Sequence, residues 1–124
     1  MLTDVAQTIL VVDDEQPVVE VVAGVLEYAG YRVLTAGNGK EALAYLEKGK
    51  VDLVLSDMMM PVMDGTQLCK RIAADVAFSS IPFVLMSATH TAARLDGCRY
   101  AAFLKKPFDI QELLRLVASV LGEQ

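Results

Sequence analysis

Cysteine is scarce in this chain: Cys69 and Cys98 are the only two in 124 residues. They lie far apart without metal-ligand spacing, so they read as small apolar residues or free thiols of a reducing compartment rather than as a disulfide. No apolar stretch approaches the ~20 residues of a membrane span, and Met1-Leu2-Thr3-Asp4 lacks the basic start of a signal peptide. The expectation is a cytoplasmic chain with no membrane partner. Clustered Lys and Arg are missing as well, and the net charge is -5. That balance opposes a phosphate backbone, so no direct contact with nucleic acid is expected. Linkers, low-complexity stretches and internal repeats are also absent, which predicts one domain over residues 1–124.

What the chain does have is apolar content, 54% of its residues against 22% charged. A globular chain of this length can bury roughly two-thirds of its unfolded surface, enough for a core without staples. Five short apolar runs, at 8–12, 32–36, 53–56, 82–87 and 102–105, alternate with helical patterns. Such runs read as parallel strands buried on both faces. Pro17 and Gly30 bracket a helix carrying Val18, Val21, Val22, Val25 and Leu26 at helical spacing. Asn38 with Glu41, Asp64 with Gln67 and Asp109 with Glu112 have the spacing of capping boxes and open three more helices. A further helix, the fourth in chain order, has only Thr91 to about Arg99 available, and Gly97 interrupts it at roughly 1 kcal/mol relative to Ala. It is expected to be short and dynamic. Right-handed crossovers make the whole an α/β fold with a doubly wound parallel sheet.

Acids stand where the apolar runs stop. Asp13 and Asp14 follow the first run and Asp57 follows the third. The carboxyl ends of parallel strands open onto the binding crevice of such a sheet, so the three acids are expected to converge. Two carboxylates about 4 Å apart repel by about 4 kcal/mol at an effective dielectric of 20, and three together call for a cation. Oxygen donors with positions left for water and phosphate favour Mg²⁺ (or Mn²⁺). Ser87 ends the fourth run and Lys106 follows the fifth. A carboxylate nucleophile, a metal, a hydroxyl and an ammonium are the parts needed for phosphoryl transfer to aspartate. Taken singly, each has a blander reading: Asp13 or Asp14 as a helix cap, Ser87 as a strand-end hydroxyl, Lys106 as a solvated charge.

Four segments together remove that ambiguity. Leu10-Val11-Val12-Asp13-Asp14-Glu15, Asp57-Met58-Met59-Met60-Pro61-Val62-Met63-Asp64-Gly65, Ser87-Ala88 and Lys106-Pro107-Phe108 resemble the receiver domain of two-component response regulators, over almost the entire chain. The resemblance implies a flavodoxin-like (βα)5 sheet of order 2-1-3-4-5. It implies that Asp57 accepts a phosphoryl group from a sensor histidine kinase or histidine phosphotransfer protein. It further implies that Asp14 binds the metal directly, with Asp13, Asp57 and the Met59 carbonyl completing the set. Lys106 would contact a phosphoryl oxygen, with its peptide to Pro107 cis. Ser87, the Ala88 amide and Met58 would bind the phosphoryl group, and Phe103 would move with Ser87 as the switch aromatic, biased toward its buried position. Lys105 is the decoy, because strand alternation lets only one of the two lysines face the pocket.

Other readings are weaker. An aspartyl phosphatase usually carries a general acid two residues after its nucleophile, and Met59 stands there. A degenerate receiver that serves only as a binding scaffold would lack one of the site residues, and none is missing. The methionines Met58, Met59, Met60 and Met63 read as gap-fillers rather than soft-metal ligands, and His90 as a surface side chain. The chain departs from the family between Ser87 and Lys106, where it is short and has Arg99-Tyr100 in place of the usual Gly-Ala. That leaves the chemistry intact but not the output surface. The downstream effector is not legible, and the expected oligomeric state is a monomer or a weak phosphorylation-dependent dimer.

Overall fold

The computed structural model describes residues 6–88 and 97–122. The strands are β1 (Thr8–Val12), β2 (Arg32–Ala36), β3 (Leu53–Asp57), β4 (Phe83–Ser87) and β5 (Ala102–Lys105), within one residue of the apolar runs. All pair in parallel, in the order β2-β1-β3-β4-β5. Among the described residues the helices are α1 (Gln16–Tyr28), α2 (Gly39–Lys48), α3 (Gly65–Ala74) and α4 (Ile110–Val120).

The period-two alternation of the strands divides the core into two layers. Leu10, Val12, Val54, Phe83 and Leu85 face one side, where Ala42 and Leu46 of α2 and Leu68 and Ile72 of α3 cover them. Ile9, Val11, Leu55, Val84 and Met86 face the other, under Val22 and Leu26 of α1 and Leu113 and Val117 of α4. A strand covered on both faces has no polar side to show, which is why β1 and β3 read as continuous apolar runs.

Helix ends follow the sequence closely. Pro17 occupies the first turn of α1, and Gly30 leaves it with φ 106°. The Asp64–Gln67 and Asp109–Glu112 boxes are complete, each with both side chain to backbone bonds. At α2 only half of the box forms. Asn38 accepts from the Glu41 N–H, while the Glu41 carboxylate takes the Gly37 N–H rather than that of Asn38. The short helix expected from Thr91 falls mostly on 91–96, outside the described residues; Gly97, at its far end, has φ 82°.

The cysteines require a correction. Cys69 of α3 and Cys98 are joined in a disulfide, their Cα atoms 5.1 Å apart. A separation of 29 residues carries no sign of this pairing. It becomes possible only because α3 and the approach to β5 pack into the same layer.

Candidate functional site

Strand register brings the acids together. Val12 of β1 pairs with Ser56 of β3, so Asp13 and Asp57, each the next residue in its chain, emerge side by side at the carboxyl ends. Asp13 and Asp57 are buried, and Asp14 is exposed. Carboxylate oxygens of Asp13, Asp14 and Asp57 all lie within 4.8 Å of one another. On the far side β4 and β5 pair Ser87 with Lys105, and the Lys106 N–H donates to the Ser87 carbonyl at 2.9 Å. This register turns Lys106 into the cluster. Its ammonium lies 2.9 Å from Asp57 Oδ1 and 3.1 Å from Asp13 Oδ2. Lys105 is exposed, as expected of the decoy. The Lys106-Pro107 peptide is cis.

One lysine against three carboxylates leaves an excess of negative charge. Burial pushes the Asp57 carboxyl above its usual range; the Lys106 hydrogen bond opposes this, and the charges of Asp13 and Asp14 add to it. For Lys106, burial acts downward, but hydrogen bonds to Asp57 and Asp13 outweigh it and raise the ammonium above its ordinary value. The two directions are compatible: the lysine gains from two carboxylates, whereas Asp57 shares a single lysine with competing acids. Three hard oxygen donors in this arrangement fit a divalent cation of the Mg²⁺ type.

The loop that follows Asp57 is held from several directions. The buried Ser56 hydroxyl donates to the Asp57 carbonyl at 2.8 Å. A Cβ on Gly65 would collide with that same carbonyl oxygen, so glycine is required there, and the Gly65 N–H donates to Met58 at 2.9 Å. Between them Val62 sits at φ 71°, with the Met63 N–H bonded to the Pro61 carbonyl at 2.8 Å. That is a tight three-residue turn of positive φ, costly for a β-branched residue.

Of the residues picked from sequence, Asp13, Asp14, Asp57 and Lys106 meet directly. Ser87 ends the adjacent strand and is buried, and Ala88 beside it is exposed. Met59 is exposed, at the rim. Phe103, expected to be buried, is half-buried with its ring 6.3 Å from that of Tyr100, because β5 is an edge strand. Met58 follows β3 directly. Its N–H donates to the Met86 carbonyl at 2.9 Å, continuing the sheet ladder, and its side chain lies in the core. Sequence reasoning missed the Ser56 and Gly65 clamp on Asp57. The Asp64-Gly65 pair was the available signal, but nothing in it says what the glycine must approach.

The description of the family model that matches residues 9–118 is response regulator receiver domain. A response regulator from Synechocystis sp. is 40% identical over 121 residues, covering 94% of this chain and 52% of that protein. The chain spans about half the length of the curated response regulators it matches first. Among solved structures, a putative response regulator from Chloroflexus aurantiacus superposes with TM-score 0.88 at 34% identity, covering 96% of this chain and 100% of that one. The receiver domain of a sensor histidine kinase from Pseudomonas aeruginosa, solved with a magnesium ion coordinated in its active site cleft, gives TM-score 0.84 at 28% identity, with 96% and 100% covered. Sheet order, acid cluster and these likenesses agree, and the chain belongs to the response regulator receiver domain family.

Proposed function

We propose that residues 1–124 act as one phosphoacceptor receiver domain, taking a phosphoryl group onto Asp57 from the phosphohistidine of a sensor histidine kinase or histidine phosphotransfer protein. A carboxylate oxygen of Asp57 attacks phosphorus, a P–O bond forms, the P–N bond breaks and the imidazole leaves. The observation that carries this reading is the Lys106 ammonium set between Asp57 and Asp13 within a three-carboxylate cluster. Attack needs the ionised carboxylate, and Lys106 favours that form against burial. Asp13, Asp14 and Asp57, with the Met59 carbonyl, would hold Mg²⁺ (or Mn²⁺). The bound ion would supply positive charge for the phosphoryl oxygens.

After transfer, Lys106 contacts a phosphoryl oxygen, and the Ser87 hydroxyl and Ala88 amide close on the group. Phe103, half-buried on the edge strand, follows Ser87 inward. The domain turns over no external substrate, works in the cytoplasm as a monomer or weak phosphorylation-dependent dimer, and touches neither membrane nor nucleic acid itself. Among the described residues no helix is long and apolar enough to cross a membrane. Incubation with acetyl phosphate and Mg²⁺, read by intact mass, tests the proposal. One phosphoryl group per chain is expected, with none on Asp57→Asn or after chelation. Equal uptake by Asp57→Asn would refute it.

A further inference from the structure

The disulfide lies outside the acid cluster, yet it joins the two sides of it. Cys69 is on α3, whose first residue, Gly65, is bonded to Met58 and packed on the Asp57 carbonyl. Cys98 stands four residues before β5, the strand that carries Phe103 and delivers Lys106. The ring closed by the bond contains β4 and Ser87. The strand that ends in Ser87 therefore lies inside the ring, and β5 begins four residues beyond it.

The approach to β5 is arranged for this bond. Gly97 at φ 82° turns the chain against the Lys70 methylenes of α3, which brings Cys98 over Cys69. Both sulfurs enter the apolar layer against which Tyr100 and Phe103 pack. Beyond the bond, this stretch is tied to the sheet by the Ala101 N–H, which donates to Phe83 at 2.7 Å. A bond at this point governs how freely 98–104 can move.

We propose that Cys69 and Cys98 are a reversible thiol–disulfide modification site, oxidised by a low-molecular-weight disulfide of the glutathione type, whose state sets the mobility of the strand carrying Phe103. The inference rests on the cytoplasmic receiver reading, because in a reducing compartment a disulfide is characteristically a transient or sensing bond. Cys98 is 9% exposed against 1% for Cys69, and exposed Gly97 and Arg99 flank it, so it reacts first once the connection opens locally. The Cys98 thiolate attacks the small disulfide, forming a mixed disulfide and releasing one small thiol. The Cys69 thiolate then attacks the Cys98 sulfur and releases the second. Two protein thiols lose two protons and two electrons, and one small disulfide becomes two small thiols. An excess of small thiol runs both steps backward.

The test uses the full chain equilibrated in mixtures of reduced and oxidised glutathione. Alkylation mass shift reports the bond, and amide exchange reports residues 98–104. Both forms should be populated across thiol-to-disulfide ratios typical of a cytosol, with exchange at 98–104 roughly tenfold faster when reduced and β1 unchanged. Cys98→Ser should match the reduced form in either buffer and still take up phosphoryl groups. Should that variant misfold, reduced wild type supplies the same comparison. A bond that persists under excess reduced glutathione in the folded chain overturns the proposal, as does equal exchange in the two forms. Loss of phosphoryl uptake in both redox states would instead count against Asp57 as acceptor and leave the redox result standing.

Discussion

Replacing Asp57 with Asn removes one charge from the cluster while keeping an oxygen for Lys106, and in metal-free buffer it should stabilise the fold. Within the 4.8 Å that bounds the cluster and at an effective dielectric of 20, one carboxylate pair repels by at least about 3.5 kcal/mol. Asp13 contributes that in full, and Asp14, being exposed, a screened part of it. Lys106 at 2.9 Å returns about 6 kcal/mol of attraction on the same scale. The charge terms nearly cancel, so the cost of burying the carboxylate decides the sign, in keeping with burial as the largest influence on Asp57. A net gain on the order of 1–2 kcal/mol follows, or roughly 4–8 °C for a domain of this size. Urea denaturation with chelator at neutral pH is the assay. The gain also has a pH signature. Because the folded carboxyl titrates above its unfolded value of 3.8, its cost is fully present above the folded pKa and fades as pH falls toward 3.8. The two unfolding curves should converge on acidification. A variant no more stable than wild type, or a gap that widens toward acid, would refute the clustered-carboxylate reasoning.

Other perturbations probe the clamp and the turn. Gly65→Ala puts a methyl into the Asp57 backbone carbonyl, which cannot swing aside, and should cost at least about 2 kcal/mol in urea denaturation and slow phosphoryl uptake; an unaltered midpoint would contradict the contact. Val62→Asn suits the left-handed region and loses little packing at an exposed site, so stability should rise by about 1 kcal/mol with uptake unchanged. A lower unfolding midpoint would show that the turn is not strained. Lys106, raised by two carboxylates, contributes stability that is whole below pH 10.5 and lost as pH rises through its higher folded value. Lys106→Met should abolish that alkaline loss in a pH series of melts, and an identical alkaline limb would discount the bridge.

The fold was legible because strands buried on both faces have to be written as apolar runs, and Asp13, Asp57 and Ser87 mark where three of them stop. The caps at Asp64 and Asp109 were legible for a similar reason, since their bonds close within one helical turn. Features that depend on distant packing were not. The Cys69–Cys98 bond needs α3 and the approach to β5 in one layer, and the reach of Lys106 to Asp13 as well as Asp57 needs strand register across four strands. The sheet ladder runs one residue past β3 and takes the Met58 N–H, which the apolar run does not announce. Val62 gives no warning, as its side chain disfavours the conformation it adopts.

Borohydride reduction of the chain after acetyl phosphate and Mg²⁺ treatment, followed by peptide sequencing, identifies the phosphorylated carboxyl directly, because an aspartyl phosphate is converted to homoserine. Homoserine at position 57 and nowhere else is the predicted result. Homoserine at position 13, 14 or 64, or a phosphoryl group recovered on His90, would contradict it.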